Sequence, residues 1–298
     1  MLPSMRPAML TLAAASFCAP AAASMLLGVR GAPALAGRAK GPKRILFVGG
    51  SYNPPSIAHL RMPEHIAEKA PDAYRPDEIW LEPTFHPMYK PNKLSFGHRF
   101  ALLGILAGSL DVPGVAVRVD DAYKKAYEEY RRTSPQPLRK ADIDALTYVM
   151  KQRPEARFML SFGDDSILDT GFKKWGYEQI EVLNKQSHAV VFVTQRNGNT
   201  DALHSLIEDM ERAFKNTEFV RLGGMDDMGD VSSTGIRKGF CEHPVVEEME
   251  EGLVIEEMER GLAVAKKNGL DDESVGYFRA HRDAYMEIVK GQCGGKKK

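Results

Sequence analysis

One imidazole, one hydroxyl and a pair of glycines lie together early in the chain, in Ile45-Leu46-Phe47-Val48-Gly49-Gly50-Ser51-Tyr52-Asn53-Pro54-Pro55-Ser56-Ile57-Ala58-His59-Leu60. Four apolar residues suit a strand buried on both faces, and Gly49 and Gly50 let the backbone turn sharply and approach a ligand. Pro54 and Pro55 stiffen the next segment and keep Asn53 out of the helical region. Ser56 is then a candidate N-cap. A helix starting there aims free amides and its positive dipole end at the turn and brings His59 to the same spot, an arrangement suited to a polyphosphate. A second group, Val231-Ser232-Ser233-Thr234-Gly235-Ile236-Arg237, offers three hydroxyls and a guanidinium at another helix start, although serine and threonine there are also ordinary caps. Two common phosphate loops are excluded: the first stretch has no Gly-Lys-Ser/Thr ending and no third glycine at the dinucleotide spacing.

The two stretches resemble the paired signatures of the nucleotidyltransferase α/β-phosphodiesterase superfamily. Gly50 to His59 is similar to Gly-Ser/Thr-Phe-x-Pro-x-His/Thr-x-Gly-His, and Val231 to Arg237 to Ile-Ser-Ser-Thr-x-Ile-Arg. The Asn-Pro-Pro form looks most like the branch that adenylylates nicotinate or nicotinamide mononucleotide. The resemblance implies an adenylyl transfer from ATP with release of pyrophosphate. Magnesium would be carried on the nucleotide phosphates and not by protein ligands. It further implies Gly50, Ser51, Tyr52, Ser56, His59, Ser232, Ser233, Thr234 and Arg237 as ATP contacts, with His59, Ser56 and Lys90 as the catalytic set.

Two departures fall inside the first signature. Ser56 replaces the usual histidine, which removes a cationic contact and implies slower turnover; Ala58 replaces the usual glycine and adds a methyl near the approach of adenine. In Pro83-Thr84-Phe85-His86-Pro87-Met88-Tyr89-Lys90 the prolines, Thr84 and Lys90 match the family's Pro-Thr-Gly-x-Pro-Pro-His-Lys. By the same resemblance Lys90, Arg99, Asp165, Phe172, Trp175 and Arg196 are acceptor contacts. Four of them have a structural alternative: a solvated lysine at 90, a brace at Arg99, an N-cap at Asp165 and core packing at Trp175. The family's Ser-Tyr-Thr stretch is replaced by Lys140-Ala141-Asp142-Ile143-Asp144. Pantetheine-phosphate adenylyltransferase or a cytidylyltransferase is the enzymatic alternative, and a nucleotide-binding protein without turnover the alternative of another class.

These residues need a scaffold that gathers strand ends. Short apolar runs at 45–48, 78–83, 115–119, 157–163, 189–194 and 219–222 alternate with helical stretches. The alternation predicts a doubly wound α/β domain with a parallel sheet, whose carboxyl edge holds both signatures. Expected helices include 60–69, one opening at Phe96, 123–132, 141–152, one opening at Ser166, 200–215 and 271–289. The acidic stretch Val245 to Leu253 is nearly repeated by Val254 to Leu262, a single duplication that suits helices packed on the domain.

The chain has 298 residues, 43% of them hydrophobic, with 40 Lys+Arg against 40 Asp+Glu. A zero balance gives no global case for nucleic acid or an acidic membrane. Cys18, Cys241 and Cys293 offer neither a zinc set nor a disulfide framework and read as free thiols. Residues 1–43 are Ala-rich, carry Arg and Lys and lack Asp and Glu; they read as a targeting presequence for an organelle, with no membrane span in the mature protein. The catalytic domain is expected over 44–240. A helical extension over 241–298 would come next, ending in a disordered Lys-rich tail.

Overall fold

The protein is described from a computed structural model, covering residues 41–85, 94–133, 141–169, 171–196, 200–225, 228, 231–244 and 249–293. The expected presequence, Lys90, the first half of the acidic repeat at 245–248 and the Lys-rich end lie outside the described residues, apart from 41–43.

Six strands form one sheet: β1 (Arg44–Gly50), β2 (Glu78–Pro83), β3 (Ala116–Val119), β4 (Arg157–Gly163), β5 (Ala189–Thr194) and β6 (Thr217–Leu222). Their order is β3-β2-β1-β4-β5-β6 and every pairing is parallel. The chain winds outward from β1 and then restarts at β4 on its other side, so a crevice opens between the carboxyl ends of β1 and β4.

The central strands are apolar on both faces because helices cover both. Ile45, Phe47, Trp80, Phe158, Leu160, Val191 and Val193 point to one core cluster, and Leu46, Val48, Ile79, Leu81, Met159, Val190 and Phe192 to the other. This is the period-two alternation of a strand. The first face is covered by α3 (Ala122–Thr133), α4 (Ala141–Gln152), α6 (Phe172–Leu183) and α7 (Thr200–Ala213); the second by α1 (Ile57–Lys69) and α2 (Phe96–Ser109). A short α5 (Asp164–Leu168) continues directly from β4, with Gly163 at its N-cap. It therefore begins before Ser166, and Asp165 lies in its first turn instead of capping it.

A third cluster gathers the C-terminal helices α8 (Ser233–Glu242), α9 (Glu251–Lys267), α10 (Asp272–Ala280) and α11 (Arg282–Cys293) with Leu94 and Leu102. The second copy of the acidic repeat lies in α9, where Val254, Met258 and Leu262 recur every four residues on the buried face. The single helix expected over 271–289 is two helices meeting at His281, which leaves helical geometry at φ −124° and ψ 71°. A second correction concerns the cysteines: Cys241 and Cys293 form a disulfide with a Cα–Cα distance of 5.3 Å. Pairing across 52 residues is set by how α8 and α11 pack, which spacing alone does not reveal. Among the described residues no helix is long and apolar enough to cross a membrane.

Candidate active site

The first signature turns at the carboxyl end of β1, and the end of β2 is fastened to it. The Gly50 carbonyl accepts both the backbone N–H of Thr84 at 2.8 Å and its hydroxyl at 2.9 Å. Tyr52 takes a left-handed φ of 46°, and its ring is 1% exposed with the hydroxyl donating to the Val48 carbonyl at 2.7 Å. Burial, then the neighbouring Glu82, pushes that phenol far up. The Tyr52 side chain is thus a core anchor, which leaves only its backbone for the expected ATP contact.

Arg99, expected at the acceptor, is 1% exposed and braces the turn. It donates to the carbonyls of Leu94 (2.9 Å), Ser51 (2.9 Å) and Phe85 (3.5 Å), three loop positions held by one guanidinium. Burial lowers its pKa to about 10, still well above neutrality, so the brace stays charged.

His59 enters from the first turn of α1. Its Nδ1 accepts the Ser56 backbone N–H at 3.0 Å and lies 2.7 Å from the Ser56 hydroxyl. A neutral imidazole that accepts on Nδ1 carries its proton on Nε2. The Tyr52 ring, 5.0 Å away at 56°, supports one side of the imidazole. Ser56 is fully buried. It therefore orients His59 from below as a positioning residue, instead of standing in the ligand's path as a shortened histidine. Ala58 is buried as well.

The second signature docks on the first. Ser232 is the N-cap of α8 and accepts from the Gly235 N–H at 3.1 Å. Ser233 donates its hydroxyl proton to the Pro54 carbonyl at 2.7 Å, and Arg237 reaches the Asn53 carbonyl at 2.6 Å and the Thr234 hydroxyl at 3.0 Å. Asn53 in turn accepts the Leu94 N–H at 2.9 Å. Burial lowers the pKa of Arg237. Residues about 180 positions apart in sequence are so joined into one turn, with the amide ends of α1 and α8 side by side.

Across the crevice, Asp164 is 1% exposed and ties the end of β4 to that of β5, accepting the N–H groups of Asp165 at 2.9 Å and Arg196 at 3.1 Å. The Arg196 guanidinium pairs with the Asp165 carboxylate at 2.7 Å. The two expected acceptor contacts thus meet at the crevice as an ion pair. Phe172 is fully buried, edge-on to Phe162 and Trp175 at 5.1 and 5.0 Å, so its ring supports Trp175 and is closed to a ligand. Trp175 is only half-buried. Lys90 lies outside the described residues.

Sequence reasoning missed Glu82. It stands at the end of β2 beside Gly49, has no exposed surface, and neither carboxylate oxygen has a well-formed hydrogen bond. Burial, then the nearby Asp120, pushes its pKa well up, against partial relief from the Tyr123 backbone and Arg118. The shift favours its protonated form. The available signal was a carboxylate closing the apolar run Ile79-Trp80-Leu81 at the carboxyl end of β2.

No protein-family model matches the chain. Curated proteins do, among them three that each bear the name "Probable nicotinate-nucleotide adenylyltransferase". One from Geobacter metallireducens is 31% identical over 125 residues, 42% of this chain and 50% of that protein. One from Lachnoclostridium phytofermentans is 24% identical over 198 residues, 66% of this chain and 86% of that protein. One from Anaeromyxobacter dehalogenans is 29% identical over 156 residues, 51% of this chain and 75% of that protein. The first match thus spans only half its relative's length. The chain thus joins both signatures at the carboxyl edge of a doubly wound parallel sheet and is similar, over part of its length, to proteins bearing the name nicotinate-nucleotide adenylyltransferase.

Proposed function

We propose that this protein transfers the adenylyl group of ATP to the phosphate of nicotinate or nicotinamide mononucleotide, a step of NAD biosynthesis. The observation that carries the reading is the union of the two signatures, in which Ser233 and Arg237 bond to the turn that presents His59. The named relatives support the choice of acceptor class. A phosphate oxygen of the mononucleotide attacks the α-phosphorus of ATP in line. The bond from that phosphorus to the bridging oxygen breaks, and pyrophosphate leaves with the electron pair. No covalent enzyme intermediate is required, so the protein's task is positioning and stabilising charge.

In this reading the Nε2–H of His59 donates to the α-phosphate as charge grows there. The amides of the Gly50–Ser51 turn and of both helix starts receive the phosphates, with Ser232, Ser233 and Thr234 at the entrance to α8. Arg237 has five N–H donors, of which the contacts to Asn53 and Thr234 engage only part. Asp165 with Arg196 would meet a ribose or the acceptor, Trp175 the pyridine ring, and Lys90 a substrate phosphate. Among the described residues no three His, Cys, Asp or Glu side chains converge as a metal site. Magnesium would arrive on the nucleotide phosphates and screen their charge.

The full-length chain, incubated with ATP, magnesium and each of nicotinate mononucleotide, nicotinamide mononucleotide and phosphopantetheine, tests the proposal. A dinucleotide and pyrophosphate should form with a pyridine mononucleotide. Turnover of phosphopantetheine alone, or dependence on CTP, would transfer the assignment to another branch; nucleotide binding with no product from any acceptor would favour the binding class.

A further inference from the structure

The disulfide stands on the helix that carries the second signature. Cys241 occupies the last turn of α8, whose first two turns present Ser233, Thr234 and Arg237, and Cys293 is the final residue of α11. Between them α9 to α11 wrap the buried face of α8, where Phe240 packs on Tyr285 at 4.8 Å and Phe278 at 5.2 Å. The wrapped segment also reaches α1. The carbonyl of Gly269, in the turn after α9, accepts the N–H of Ile57 at 2.9 Å, in the first turn of α1. Gly269 sits at φ +96°, and a Cβ there would strike Val231 and crowd Ile57. One turn of the extension is thus wedged between the two helix starts that form the phosphate turn, and one covalent bond holds the end of that extension on α8.

We propose that Cys241–Cys293 is a thiol–disulfide control on the nucleotide site, a role that rests on reading the starts of α1 and α8 as that site. A dithiol reductant transfers two electrons and two protons to the bridge, giving two cysteine thiols and its own cyclic disulfide. Both cysteines are partly exposed, so a small dithiol can reach them. With the bridge open, the end of α11 is held on α8 by apolar packing alone. The extension then fixes the Gly269 turn between the helix starts less firmly, and the oxidised form is the one that binds ATP tightly. Closing a loop of 52 residues removes much freedom from the unfolded chain, so reduction also lowers thermal stability.

The test compares the full-length chain as purified under oxidising conditions, after treatment with dithiothreitol, and as the Cys241→Ser/Cys293→Ser double variant. Alkylation before reduction should leave Cys241 and Cys293 unlabelled in the oxidised form. Reduction should lower Tm by roughly 5–15 °C and raise the Kd for magnesium-ATP about 5-fold or more, an order-of-magnitude expectation for coupling between sites. The double variant should show the weaker affinity with or without dithiothreitol, which removes Cys18 as the cause. Equal ATP affinity in the oxidised and reduced forms, even with a lower Tm, would overturn the control and leave a purely structural staple. Alkylation of both cysteines in unreduced protein would overturn it too. Oxidised protein that binds no ATP would overturn the nucleotide reading itself.

Discussion

An imidazole that accepts on Nδ1 must carry its neutral-form proton on Nε2, and at His59 Ser56 enforces that arrangement with its N–H and its hydroxyl. Ser56→Ala keeps the first contact and loses the second, so turnover should fall about 10-fold, the worth of one ordinary hydrogen bond. Ser56→His should lower turnover as well, and should cost about 1–3 kcal/mol of stability, because the site is fully buried and has no room for a ring. Steady-state rates and thermal unfolding of both variants check this; faster turnover in the histidine variant would mean that Ser56 is a weakened catalytic position. The residue types at 56 and 59 were legible in the sequence. The inward direction of the serine was not, since a helix cap and a ligand contact call for the same side chains. The carboxylate of Glu82 was visible in the sequence but its burial was not, since that depends on α3 closing over the strand. Its raised pKa means that the folded protein keeps a proton which the unfolded chain loses above the ordinary carboxylate range. Its contribution to stability is therefore fully present below about pH 4.3 and is lost progressively as pH rises toward the folded pKa. Glu82→Gln cannot ionise and should gain stability relative to wild type from about pH 5 upward, by at most roughly 1.4 kcal/mol per pH unit. Urea unfolding of the two proteins between pH 5 and 9 measures the difference, and parallel curves would refute a neutral Glu82.

The strands could be read because each central one is apolar on both faces and the helices between them are bounded by turn residues; 78–83, 157–163 and 189–194 fall where the pattern puts them. The break at His281 was not readable. Tyr277-Phe278-Arg279-Ala280-His281-Arg282-Asp283 contains neither glycine nor proline, and the separation into α10 and α11 belongs to tertiary packing around Phe278 and Tyr285. Signature order was likewise legible, whereas the direct bonding of one signature to the other was not, because backbone carbonyls such as those of Asn53 and Pro54 leave no trace in a motif. That bonding makes a prediction about α8. Arg237→Lys replaces a planar fork by a single ammonium that cannot span Asn53, Thr234 and a phosphate together, so the KM for ATP should rise roughly 10-fold or more, the scale of a charged hydrogen bond, with a smaller change in kcat. Steady-state titration of ATP decides the matter, and an unchanged KM would confine Arg237 to bracing the loop.

Over the whole chain, the resemblance fades after Phe240 but the packing does not. The expected boundary at 240 falls inside α8, whose buried face is completed by α9 to α11, and the extension reaches back to the first turn of α1 through Gly269. Sequence comparison loses such a region because helices that only cover a core can vary while keeping their apolar stripe. The molecule thus consists of a sheet that gathers strand ends, two helix starts that define a phosphate-sized turn, and a C-terminal layer that holds those starts together. On the proposed reading all three serve His59, whose Nε2–H would donate to the α-phosphate. The most direct measurement is the rate of dinucleotide formation from ATP and a pyridine mononucleotide by wild type and His59→Ala, together with the Kd for ATP of each. The variant's kcat should fall about 100-fold or more, as for removal of one transition-state donor, with ATP affinity changed only a few-fold. An unchanged kcat in His59→Ala would remove the imidazole from the chemistry.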